Sequence, residues 1–142
     1  MSTYKQFQTD TSLETSGIRL NLGAAGTFII ARAGGSNEKF ARRMLSATKP
    51  FRRAIANETM DHKEADRLTA RVFAETVVLG WEGVTGPDGK ELAFNVDNAV
   101  KLFTDLPDLF AEIRRASSDA ALFRKEILES EAGNSSPASS TP

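Results

Sequence analysis

Apolar positions recur along this chain with two periods, and the change from one to the other divides it. From Gly17, Ile18, Leu20 and Leu22 alternate with Arg19 and Asn21, the period of two of a half-buried strand. Gly23-Ala24-Ala25-Gly26 makes a turn, and Thr27 to Ala33 follows as a second extended run with Phe28, Ile29 and Ile30, closed by Gly34-Gly35. The pair predicts a β-hairpin. An isolated hairpin is marginal in water, so this one is expected to pack on helices or to pair with another chain.

Beyond Gly35 the period becomes helical. Ser36 is the expected N-cap of a helix whose stripe is Phe40, Met44, Leu45 and Thr48. Pro50 cannot continue it without losing a backbone bond but suits the first turn of a new helix with Phe51, Ala54 and Ile55. Asn57 to Met60 connects, and Asp61 caps a long central helix with Glu64 three residues on. Leu68, Val72, Phe73, Thr76, Val77 and Leu79 give that helix a broad apolar face, and its end is expected at Gly80. Asp88-Gly89-Lys90 is then a tight turn between Val84-Thr85 and Leu92 to Phe94, an irregular short hairpin. Asn95 or Asp97 caps a helix with Val96, Ala99, Val100, Leu102 and Phe103, and Pro107 marks the start of another with Leu106, Leu109, Phe110 and Ile113. Ser117-Ser118-Asp119 breaks it, and Ala120, Phe123, Ile127 and Leu128 continue at helical spacing to about Glu131.

The pattern predicts an α+β chain, mainly α-helical: an N-terminal β-hairpin, then about five helices, with the irregular hairpin between the central and C-terminal ones. Residues 1–16 are polar apart from Tyr4, Phe7 and Leu13, which predicts a partly ordered arm, loosely held or added as an edge strand. Residues 17–131 form one globular domain, the expectation for a chain of 142 residues. Residues 132–142 hold no apolar side chain larger than alanine and are expected to be disordered.

Composition narrows the chemistry. Without cysteine there is no disulfide framework and no thiolate ligand or nucleophile. The lone histidine, His62, lies among Asp61, Lys63, Glu64 and Asp66 with no second imidazole, so it belongs to a solvated helix start rather than to a metal site. Asp88-Gly89 with Glu91 lacks the alternating ligands of a calcium loop. No nucleophile sits beside a base and no glycine-rich phosphate loop is present, so neither an enzyme nor a cofactor is expected. No run approaches the roughly 18 apolar residues of a membrane helix, and the N-terminus has no apolar leader, which predicts a cytoplasmic protein.

Charge is segregated although the whole chain carries only -1. Residues 36–58 hold six basic side chains (Lys39, Arg42, Arg43, Lys49, Arg52, Arg53) against two acidic ones, a net of +4. Residues 81–112 hold seven acidic side chains against two basic ones, a net of -5. Either the two segments compensate each other inside one monomer, or they steer docking to a client or to another copy. Nucleic acid is disfavoured, because only Phe40 and Phe51 interleave with the basic residues. Trp81, Phe94, Phe103 and Phe110 are spaced either as core or as the lining of a groove for an apolar helix. For Trp81 the neighbours Val77, Val78 and Val84 favour the core. The candidate partner-binding residues are Arg42, Arg43, Arg52, Arg53, Trp81, Phe103 and Phe110.

Five phrases in order carry a resemblance: Thr-Asp-Thr-Ser-Leu-Glu-Thr-Ser-Gly (9–17), Ala-Arg-Ala-Gly-Gly-Ser-Asn-Glu-Lys-Phe (31–40), Thr-Lys-Pro-Phe-Arg-Arg (48–53), Val-Val-Leu-Gly-Trp-Glu-Gly-Val (77–84) and Lys-Leu-Phe-Thr-Asp-Leu-Pro-Asp-Leu-Phe (101–110). Together they resemble the tail assembly chaperones of long-tailed bacteriophages, over about residues 9–125. The resemblance implies a non-enzymatic helper in the host cytoplasm that binds the phage tape measure protein, keeps it soluble, helps to recruit tail tube subunits and is absent from the mature virion. It also implies, as further candidate partners, a frameshifted long form and other copies of the chain. The family offers no catalytic residue to carry over. The rival readings are a structural tail or neck protein retained in the virion and a small DNA-binding regulator.

Overall fold

The alternation that begins at Ile18 folds as a strand. In the computed structural model, which describes residues 3–124, β1 (Ile18–Asn21) pairs antiparallel with β2 (Thr27–Ile30), and Leu20 lies opposite Phe28. Gly26 closes the turn between them with φ 114°, and a β-carbon there would stand 2.8 Å from the Val84 side chain, so only glycine fits. The hairpin finds its third strand within its own chain. Val78–Glu82 is β3, antiparallel to β2, and the sheet order is β1-β2-β3. The expected pairing with another chain is therefore not needed to hold the hairpin.

That third strand corrects the expected end of the central helix. The helix, α5 (His62–Thr76), begins as anticipated with the Asp61 carboxylate accepting from the Glu64 amide at 3.1 Å. It stops four residues before Gly80. The β-branched run Thr76-Val77-Val78 favours extended backbone, and the Ala31 amide donates to the Val77 carbonyl at 2.7 Å. The freed Thr76 carbonyl is met by the side-chain amide of Asn37, at 3.0 Å. Helical spacing through Leu79 was real but continued onto a strand, whose register slips at a bulge between Ile29 and Ile30.

Among the described residues five α-helices follow the hairpin: α3 (Glu38–Thr48), α4 (Arg52–Ala56), α5, α6 (Val96–Asp105) and α7 (Pro107–Ser117). A 3-10 turn at Lys49–Phe51 separates α3 from α4 where Pro50 demanded a break. Asn95 caps α6 by accepting from the Asn98 amide at 2.7 Å, and Pro107 occupies the first turn of α7. Between β3 and α6, Thr85 bridges Glu91 around the Asp88-Gly89 turn, the irregular hairpin of the sequence pattern. Ser36 does not cap α3: Asn37 stands at that position without a side-chain cap bond, its amide being directed to Arg32 and Thr76 instead. The fold is α+β and mainly helical.

The core runs along α5. Phe73 meets Phe40 of α3 edge-on at 5.3 Å and Phe110 of α7 at 5.4 Å, and Phe110 stacks on Phe103 of α6 at 5.1 Å. Phe28 and Ile30 close it from the sheet side, both fully buried. α3 and α6 each pack against α5, from which they carry different surfaces outward.

The N-terminal residues are helical where an added edge strand was one of the two expected forms. Thr3–Phe7 and Thr11–Ser16 are short helices, α1 and α2, and not an edge strand. Asp10 caps α2 at the Ser12 and Leu13 amides, and Glu14 is buried against Arg32 and Ser36. The Asp10 amide donates to the Phe123 carbonyl at 2.7 Å, which ties α2 to the 3-10 turn Ala120–Phe123 after α7. Asp119 re-caps the chain there, as the break at Ser117-Ser118-Asp119 predicted. The expected continuation from there to Glu131, and the tail from 132 onward, lie outside the described residues.

Candidate functional site

The basic segment becomes a surface because α3 buries only a narrow stripe. Phe40, Met44 and Ala47, at i, i+4 and i+7, face α5, which turns Leu45 outward at 69% exposure. No residue of α4 is buried, and Ile55 is 45% exposed. Lys49, Arg52 and Ile55 line a shallow hollow with Leu45 and Thr48, and Arg53 stands beside Lys49 and Arg52 in the adjoining one. The four candidate arginines are thus not equivalent. Arg43 is held by Glu75 of α5 at 2.6 Å, and Arg42 reaches Glu38 within its own helix at 3.9 Å. Arg52 and Arg53, like Lys39 and Lys49, form no ion pair among the described residues.

A second surface lies where the Thr85–Leu92 turn meets α6. A pocket of about 380 Å³ opens between Pro87 and Leu92 of the turn and Leu102 and Leu106 of the helix. Its size falls at the low end of ligand pockets, roughly 300 to 1,000 Å³. Three polar side chains on its wall are already engaged: Lys101 Nζ pairs with Asp105 at 2.8 Å, and the Asn98 amide donates to the Ala93 carbonyl at 2.9 Å. Its largely apolar walls suit an aliphatic group, and among its lining residues no nucleophile stands beside a base.

Trp81 belongs to the support of this pocket. It sits on β3, half-buried, with its ring edge-on to Phe28 at 5.9 Å and Phe94 at 5.0 Å. Its Nε1 donates to the Leu92 carbonyl at 2.8 Å and fixes the turn that forms one wall. Phe103 and Phe110 must be removed from the partner-binding candidates. They are 1% and 6% exposed and spend their faces on each other and on Phe73, which leaves nothing for a partner to touch. Aromatic spacing alone did not separate core from groove.

The two charged segments, 36–58 and 81–112, do not meet in direct ion pairs among the described residues. Glu82 pairs with Arg19 at 2.7 Å, Asp97 with Arg71 at 3.4 Å, Asp105 with Lys101, and Glu112 with Arg115. Asp88, Glu91 and Asp108, which flank the pocket in sequence, form no ion pair among these residues. Leu45, Ile55 and Leu106, which the sequence pattern places on apolar helix stripes, stand exposed instead, and they were not among the expected surface candidates. Periodicity could not find them, because Leu45 and Leu106 both fit an apolar helical stripe, and a stripe names a face without fixing what covers its edge.

No group of three His, Cys, Asp or Glu side chains among the described residues is placed to hold a metal, and no helix there is long and apolar enough to cross a membrane. A family model described as YdaY prophage protein matches residues 35–134. No curated protein and no solved structure matches the chain.

Proposed function

The chain belongs to the YdaY prophage protein family, a bacteriophage lineage, and from that premise we propose that it is a tail assembly chaperone. In this reading it binds the tape measure protein in the host cytoplasm, keeps it soluble, helps to recruit tail tube subunits and leaves before the virion is complete. It is not an enzyme. The observation that carries the reading is the exposure of aliphatic side chains beside unspent charge, Leu45 and Ile55 next to Lys49, Arg52 and Arg53. The five phrases resembling tail assembly chaperones, and the phage lineage, supply the client.

The physics suits such a client. A long, helix-rich protein with apolar stretches aggregates while it is being made, and many copies of a small charged domain mask it through multivalency even when each binds weakly. The rival is a structural tail or neck protein. Quantitative mass spectrometry of purified virions separates them: the chaperone reading expects no stoichiometric amount of this chain in mature particles, and a fixed copy number there overturns it.

A further inference from the structure

We propose that the pocket between the Thr85–Leu92 turn and α6 receives a second copy of this chain, whose Leu45 and Ile55 seat against Leu92, Leu102 and Leu106. Both partners of this contact are on the same molecule. The donor end is aliphatic and basic: Leu45 and Ile55 stand exposed with Lys49, Arg52 and Arg53 around them. The acceptor is apolar, and the sequence flanking it is acidic, with Asp88, Glu91 and Asp108 left out of every ion pair among the described residues.

Charge complementarity selects the occupant. Segment 36–58 leaves Lys39, Lys49, Arg52 and Arg53 outside every ion pair among the described residues, segment 81–112 leaves Asp88, Glu91 and Asp108, and none of these ion pairs joins the two segments. Lys49, Arg52 and Arg53 stand at the junction of α3 and α4, and Asp88, Glu91 and Asp108 on the turn and the start of α7, so complementary charge favours a contact between copies. Two different surfaces meet, so the contact is heterologous and leaves a free end on each side; it propagates as an open row or closes as a ring. A contact built on one small pocket and a few charges is weak and sensitive to salt.

The test uses the full chain alone, so its outcome is independent of any client. Sedimentation velocity over a wide concentration range is expected to show oligomers that grow with concentration and recede in high salt. Leu45→Glu/Ile55→Glu removes the donor end and Leu106→Lys spoils the acceptor; each alone is expected to associate about tenfold more weakly or worse. Mixed together, they are expected to form a one-to-one dimer and nothing larger, because each retains the surface the other lacks. Should Leu106→Lys melt early, Glu91→Lys on the exposed turn replaces it. A wild-type chain that stays monomeric throughout, oligomers indifferent to salt, or a mixture that fails to pair would each overturn the proposal. A monomeric chain that still co-purifies with the tape measure protein sinks the self-docking and spares the chaperone reading, and the converse result does the reverse.

Discussion

The carboxylate of Glu14, on α2, is ion-paired to the Arg32 guanidinium at the end of the hairpin, eighteen residues away, with almost no access to solvent. Ser36 completes the cage, its hydroxyl donating at 2.6 Å and its amide at 3.1 Å to the other carboxylate oxygen. Burial by itself raises the Glu14 pKa, but the hydrogen bonds from Ser36 and Arg32 outweigh it and hold the group at about 2 instead of 4.5. A folded pKa below the unfolded one means stability that is present above about pH 4.5 and lost as pH falls toward 2, on the order of 3 kcal/mol in all. Thermal melts from neutral to acid pH are expected to drop through that window in the wild type. Glu14→Gln is expected to start lower at pH 7 and to fall less steeply, and equal slopes for the two would show that the pair does not fasten α2.

Asn37 is expected to be costly to replace. Its buried amide donates to the carbonyls of Arg32 and Thr76, the second being the end of α5. Asn37→Ala leaves both carbonyls buried without a donor and is expected to cost about 1 to 3 kcal/mol in urea unfolding. A loss within 0.5 kcal/mol, the ordinary range of surface changes, would mean that water serves those carbonyls equally well.

Trp81→Phe keeps most of the ring packing against Phe28 and Phe94 and removes only the bond to Leu92. About 1 kcal/mol is expected to go with it, whereas Trp81→Ala is expected to cost about 3 kcal/mol by opening a cavity beside the sheet. Denaturant titration of the two variants checks the order. Equal losses would deny the indole N–H its part in holding the pocket wall.

Much of this fold was written locally. Asp61, Asn95, Pro50, Pro107 and Asp88-Gly89 each act within a few residues of themselves, and each marks the boundary it predicted. What escaped was decided at a distance. Val77 to Leu79 satisfy a helical period as well as an extended one, and only pairing with β2 settles which; Glu14 looks like a solvated acid until Arg32 and Ser36 arrive from the next element. At the candidate site, the charge of Arg42, Arg43, Arg52 and Arg53 was legible and its use was not, because Arg43 is engaged by Glu75, thirty-two residues on. Phe103 and Phe110 failed as surface candidates for the related reason that a helical period fixes a face but not what covers it.

Arg52→Glu/Arg53→Glu separates surface from scaffold. Neither side chain forms an ion pair among the described residues, so the double variant is expected to melt within about 0.5 kcal/mol of wild type. Its association with the client is expected to weaken at low salt and to differ less from wild type at high salt. An affinity loss that is the same at all salt concentrations would locate the effect in packing and not in charge.

If this chain keeps a tape measure protein soluble, as proposed, co-expression of the two reveals it. The tape measure protein alone is expected in the pellet, and with the full chain present it is expected in the soluble fraction, co-purifying with several copies per molecule. A tape measure protein equally insoluble with and without the chain, and absent from its pull-down, would contradict the account.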